Sequence, residues 1–205
     1  MPKASHAKKT ASERWSLPAT QDRSRATRAR LLEAAESVFA EKGYDGAKIS
    51  DIAEEAGVSV GAVYFRFKDK SALFSAIAVS FIEDARGGVG VLLNAPPAKP
   101  DAVLRGFVLA TAANFRRHRG LFRAIVERGL DHPHAMKTIF GFREELATAL
   151  EQVLHGPSLK IRVMTQMIYG FLITGILNPD APTKIGDARA INELADACIA
   201  YLEAR

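Results

Sequence analysis

Between Ile49 and Phe67 the apolar residues arrive in two bursts, residues 49–56 and 60–65, and neither is long enough to be stable as an isolated helix. Gly57-Val58-Ser59 separates them. Two such short helices persist only by crossing each other closely. That demands small side chains where the backbones meet and larger apolar ones above and below. Ala53 and Ala56 meet the first need, and Ile52, Val58, Val63 and Phe67 the second. Gly57 can take a positive φ at little steric cost, and Ser59 can accept a hydrogen bond from the free N–H groups of the following turn. The spacing predicts a helix-turn-helix, and the rest of the chain must supply helices for that pair to rest on.

The remaining pattern supplies them. Leu31, Ala34, Ala35, Val38 and Phe39 recur at intervals of three and four from Ala26 onward, with Gly43 as a stop. Asp69 is placed to cap a helix beginning at Lys70, with Leu73, Ile77 and Phe81 on its apolar face, weakening at Gly87-Gly88. Asn94-Ala95-Pro96-Pro97, with Pro100, reads as a linker. Beyond it, helices are expected from Asp101 to the Arg116–Arg119 cluster, over 121–129, 135–154 and 158–177, and over 187–202. No stretch alternates apolar and polar residues with β-branched enrichment, so the fold class is all-α. Three regions are expected: a mobile basic arm over 1–24, a helix-turn-helix unit over 25–69, and a larger helical unit over 70–205.

Charge is unevenly spread. Residues 1–30 hold eight Lys or Arg against Glu13 and Asp22, whereas the whole chain of 205 residues is only +5. A basic start on a near-neutral body suits a polyanionic partner. The second helix of the pair would expose Val60, Gly61, Tyr64 and Phe65, an uncharged surface suited to the major groove of double-stranded DNA. No apolar run approaches the roughly 20 residues that span a bilayer, and no secretory h-region follows the N-terminal lysines, so a cytoplasmic location without membrane contact is expected. Cys198 is the single cysteine, which excludes a disulfide framework within the chain. Asp131-His132-Pro133-His134 has poor spacing for a metal, and no phosphate loop, nucleophile elbow or HExxH motif occurs. Neither a catalytic residue, a metal nor a cofactor is expected.

The residues from Thr27 to about Phe81 resemble the TetR/AcrR family of bacterial transcriptional regulators: Ala34-Ala35, Phe39, Gly43-Tyr44, Asp51-Ile52-Ala53, Ala56-Gly57-Val58-Ser59, Gly61, Val63-Tyr64, Phe67 and Lys70 through Leu73 stand where that family's motif has them. The resemblance implies a three-helix DNA-binding unit, a helical regulatory domain with a small-molecule pocket, and a homodimer joined by the last two helices. It assigns phosphate contacts to Lys70 and Tyr64 and base contacts to Val60, Gly61 and Phe65, beside the cap Ser59. Three positions depart from the motif. Lys48 stands where Thr or Ser usually caps the first helix, losing the cap but offering an ammonium to phosphate; Ser71 replaces a frequent acidic residue, and Arg66 a frequent histidine.

In the C-terminal part, Thr111, Asn114 and His118 interrupt an otherwise apolar helix face. With Phe107, Phe115 and Phe122, and with Met164 and Met167, they are candidates for a pocket taking a mainly apolar or aromatic effector. The segment 158–177 is apolar nearly all round, so one of its faces should meet a second copy of the chain, together with 187–202. The expected function is a ligand-responsive repressor, released by its effector from a palindromic operator. Two alternatives remain: a ligand-binding or enzymatic helical protein whose helix-turn-helix is incidental, and a constitutive DNA binder with a filled core.

Overall fold

A computed structural model describes residues 11–93, 99–178, 180–181 and 183–204. Nine α-helices and one short 3-10 turn are found among them, and no strand: α1 (Ala11–Gly46), α2 (Ile49–Glu55), α3 (Val60–Tyr64), α4 (Lys70–Leu93), α5 (Pro100–Arg117), α6 (Arg119–Arg128), the 3-10 turn Gly129–Asp131, α7 (Pro133–Leu154), α8 (Ser158–Leu177) and α9 (Ala188–Glu203). The all-α expectation holds. The linker at 94–97 and the first ten residues of the arm lie outside the described residues.

Three boundaries differ from the pattern. Helix α1 begins at Ala11, not Ala26. Residues 21–26 are exposed, so they carry no apolar period, yet Ala, Arg and Gln are good helix formers and need none. Helix α4 passes through Gly87-Gly88 without a break, since two glycines cost only about 1 kcal/mol each and Val89 is buried just beyond them. Asp101 lies in the first turn of α5, whose N-cap is Lys99, because Pro100 takes the first helical position that suits its fixed φ.

One continuous core joins the helix-turn-helix to the rest, from Leu31 and Phe39 in α1 through Ile52, Val63 and Phe74 to Phe107, Leu121, Ile161 and Cys198. Helix α1 packs chiefly on α6, α4 on α5 and α7, and α5 on α9. The α1–α6 approach is close enough that a Cβ added at Gly120 would overlap the Glu36 carbonyl oxygen. Only glycine fits there. Gly43, at φ 72, ends the straight part of α1 and turns the chain into α2.

Candidate nucleic-acid interface and its coupling to the body

Helices α2 and α3 follow the expected geometry. Ile52, Ala53, Ala56, Val63 and Phe67 are buried and Val58 half-buried. Gly57 has φ 64 with open space around it, so backbone conformation and not room requires glycine there. Ser59 Oγ accepts from Ala62 N–H at 3.2 Å, which caps α3. Ahead of α2, Lys48 has no acceptor to offer the helix, but Asp51 supplies the other half of a capping box by accepting from Lys48 N–H at 3.1 Å. Lys42 pairs with the same carboxylate at 3.1 Å, and that contact, with the Lys48 N–H bond, holds Asp51 below the usual carboxylate range. What α3 leaves outside is uncharged: Val60 and Tyr64 are about half exposed, Gly61 is exposed, and Phe65 is 85% exposed. Lys48 and Lys68 are exposed nearby in sequence, while Arg66 turns back to donate to the Ala62 carbonyl.

Lys70 is placed otherwise than as a free phosphate ligand. Its ammonium donates to the carbonyls of Tyr44 at 2.5 Å and Ala47 at 3.0 Å, and lies 4.5 Å from the centre of the Tyr44 ring. Two of its three N–H groups are thus spent tying the start of α4 to the end of α1. Tyr44 also packs on Phe39, Phe74 and His132. His132 shares a hydrogen bond with Ser71 Oγ at 3.1 Å, and burial holds it below the usual imidazole range, so the neutral ring is the form that fits. The substitution that put Ser71 in place of an acid therefore has a partner. His132 is a packing residue in an aromatic cluster, and among the described residues no group of side chains is arranged to hold a metal ion.

Coupling of the helix-turn-helix to the body runs through α6. The Glu36 carboxylate accepts from Leu121 N–H at 2.9 Å and meets His118 Nδ1 at 2.8 Å, while His118 Nε2 lies 3.1 Å from Asp84. Both His118 contacts are donor–acceptor pairs only when the ring carries two protons. Arg123 donates to the carbonyls of Ala40 and Glu41, Glu127 accepts from Tyr44 N–H at 2.6 Å, and Arg128 forks onto Asp45 at 2.8–2.9 Å. The pairs between α1 and α6 span about 80 residues of sequence, so no local pattern reveals them. The basic run ending α5 and opening α6 is their only trace.

The pocket candidates separate into four groups. Phe115 and Phe122 do line a cavity of about 170 Å³ among α4, α5, α6, α7 and α8. Asn114 and Thr111 border a space of only about 30 Å³, and Asn114 already donates to the Phe81 carbonyl at 3.2 Å. His118 is committed to its two carboxylates, and Phe107 and Met164 are fully packed core. Met167 is 44% exposed on the outside of α8. The cavity face of α8 is made by Gln166, Tyr169, Gly170 and Ile173. At about 100° per residue, Met167 stands a quarter-turn from that face and Met164 nearly opposite it.

The same helix leaves Leu159, Val163, Met167 and Leu177 exposed, while Ile161, Met164, Ile168 and Leu172 are buried in their own chain. Ile191 and Leu194 of α9, expected at an interface between copies, are instead buried in the chain itself, where α9 packs on α5. Ile199 is half-buried. The outer face of α9 carries Asn192, Glu193, Asp196, Ala197 and Ala200. No helix of the described residues is long and apolar enough to cross a membrane.

The sequence model described as "Bacterial regulatory proteins, tetR family" matches residues 31–77, from the buried half of α1 through α2, α3 and the start of α4. Residues 31–77 are thus a TetR-family helix-turn-helix segment. The chain is 41% identical over 64 residues to the HTH-type transcriptional regulator TtgR of Pseudomonas putida, covering 31% of this chain and 30% of that protein. It is 43% identical over 60 residues to the HTH-type transcriptional repressor AcnR of Corynebacterium efficiens, covering 29% of this chain and 32% of that one. The chain thus spans about a third of the length of the curated relatives it matches. The TetR-family fold extends further. A transcriptional regulator from Rhodococcus sp. superposes over 85% of this chain and 95% of its own with a TM-score of 0.69 at 21% identity. The TetR-family regulator PfmR from Thermus thermophilus covers 86% of this chain and 100% of its own, with a TM-score of 0.63 at 22% identity.

Proposed function

We propose that this TetR-family chain is a ligand-responsive DNA-binding transcriptional regulator, acting as a repressor. The observation that carries the reading is the exposed, uncharged surface of α3, in which Val60, Gly61, Tyr64 and Phe65 stand free of the core on a helix held by the Gly57 turn and the Ser59 cap. Phe65 is 85% exposed, and a major groove offers thymine methyls for it to touch. Tyr64 and Lys48, both exposed, would contact phosphates. The names of the relatives, regulators and repressors of the helix-turn-helix type, support the same reading.

Residues 25–69 would form the reading unit and 70–205 the ligand-binding and dimerisation unit. The exposed stripe Leu159, Val163, Met167 and Leu177 on α8 suits the same stripe of a second copy. The effector would enter the cavity walled by Phe115 and Phe122. Phe81, midway along α4, also borders it, Asn114 grips the Phe81 carbonyl, and Lys70 at the start of α4 grips the α1–α2 corner. A ligand that displaces Phe81 would therefore bias the position of the reading unit, and it weakens operator binding only as far as it prefers the non-binding arrangement.

Selection of bound duplexes from a random DNA pool at near-physiological salt tests the reading. A palindromic consensus with half-sites about one helical turn (roughly 34 Å) or a multiple apart is expected. Recovery of unselected sequences would leave only attraction of the basic N-terminal region for polyanions and would sink the proposal.

A further inference from the structure

The cavity of about 170 Å³ has an unequal distribution of chemistry. Its walls are aromatic: Phe115 stacks on Phe122 at 3.9 Å between centroids and on Tyr169 at 5.4 Å, and Phe81 presents its edge to both phenylalanines. A space of roughly 150 Å³ with apolar walls is enough for one benzene ring. Larger, drug-sized ligands need about 300 Å³ or more. The dimensions therefore admit a single ring with one small substituent.

The polar side chains bordering the cavity are Arg143, Gln166 and Tyr169. Arg143 Nη1 donates to Gln166 Oε1 at 2.8 Å, which uses the amide oxygen and leaves the Gln166 NH₂ to donate. Tyr169 has no hydrogen-bond partner among the described residues, and burial pushes its phenol up to about 12, against the opposing pull of Arg143, so the hydroxyl is a protonated donor. Glu144 pairs with Arg143 at 3.6 Å through one oxygen and with Arg162 through the other, and does not line the cavity. Arg143, Gln166 and Tyr169 can each donate, the first of them is cationic, and no carboxylate side chain borders the space. Such a set is left unsatisfied by a hydrocarbon and matched by a carboxylate, to which a guanidinium can donate two parallel bonds.

We propose that the cavity binds a monocyclic aromatic carboxylate, the ring among Phe81, Phe115 and Phe122 and the carboxylate at Arg143, Gln166 and Tyr169. This rests on the reading of the same cavity as the effector site and names the class of effector. Gln166 and Tyr169, three residues apart on α8, are positioned as one turn of the helix, so the anion would be read by α8 and α7 while the ring presses on α4.

Isothermal titration calorimetry of the full chain at pH 7 with benzoate, benzamide and hexanoate tests it. Benzoate should bind about tenfold or more tightly than benzamide, which lacks the charge, or hexanoate, which lacks the ring. Arg143→Gln should remove the preference for benzoate over benzamide, and Tyr169→Phe, which keeps the ring and its packing, should weaken benzoate several-fold with an unchanged far-ultraviolet circular dichroism spectrum. Benzamide or hexanoate equalling benzoate, an Arg143→Gln chain with the parent's preference, or no benzoate binding at millimolar concentration would each overturn the proposal. Operator affinity is measured separately. Benzoate binding in the expected pattern without any change in operator affinity would keep the ligand assignment and defeat the effector reading, whereas sequence-specific DNA binding without benzoate binding would defeat the ligand assignment and keep the DNA-binding reading.

Discussion

Helices α2 and α3 are held in shape by their neighbours in sequence, whereas the docking of α1 on α6 is held by residues some 80 positions away. In the first region, which rests on α1, a glycine with φ 64, a serine cap and five buried side chains within sixteen residues, Ile52 to Phe67, set how the two helices meet. In the second, Glu36, Ala40, Asp45 and Tyr44 each meet a partner between His118 and Arg128. The contrast separates two kinds of information. Short-range devices set the shape of the exposed α3 surface, and long-range ones set where that surface sits relative to the body.

Breaking the long-range side should cost most. Gly120→Ala puts a methyl against the Glu36 carbonyl with no flexible atom to yield, and overpacking of this kind costs about 3 kcal/mol; thermal unfolding should shift down by about 9 °C at roughly 3 °C per kcal/mol for a chain of this size. A Tm within a degree of the parent would show that α1 and α6 are less tightly opposed than described. Next in size is Lys70→Ala, which removes two charge-assisted bonds to carbonyls and should cost about 2 kcal/mol of stability in a denaturant titration. Should Lys70→Ala leave stability intact but lower the salt dependence of DNA binding, the side chain would belong to the phosphate contacts after all.

The short-range side makes smaller, separable contributions. Tyr64→Ala should leave the melting temperature unchanged, because the side chain is half exposed, yet weaken binding to the selected duplex about tenfold, or 1.4 kcal/mol. Equal loss of stability and affinity would mean that Tyr64 holds α3 in place and does not touch DNA. Smallest of all, Lys48→Ser should restore the missing cap of α2 and raise stability by about 0.5–1 kcal/mol. Chemical denaturation of the Lys48→Ser chain gives the sign directly, and a loss would show that the Lys48 ammonium is needed where it is.

The same division explains what can be read from the amino acids. The turn, the cap, the buried faces and the exposed surface of α3 are all legible, since each depends on residues within one or two turns of helix. Phe115 and Phe122 are legible as cavity residues because they share the α5–α6 corner. Phe107, Met164 and Met167 are not separable from them by periodicity, which says that a face is apolar but not which neighbour it meets. His118 and Asn114 resemble ligand anchors because a polar side chain on an apolar face advertises a need for a partner. The partners, Glu36, Asp84 and the Phe81 carbonyl, lie on other helices. Arg143, Gln166 and Tyr169 carry no signal at all, being ordinary residues on two helices whose mutual rotation the pattern does not specify.

The absence of a side chain at Gly120 also bears on how such proteins can be recombined. The segment matched to the family ends at residue 77, but the surface on which α1 rests includes a position 43 residues further on. A chimera that took residues 31–77 from a relative would carry a new α1 onto an α6 shaped for this one. The matched segment is a module in sequence alone; to be exchanged as a working part it must travel with α6.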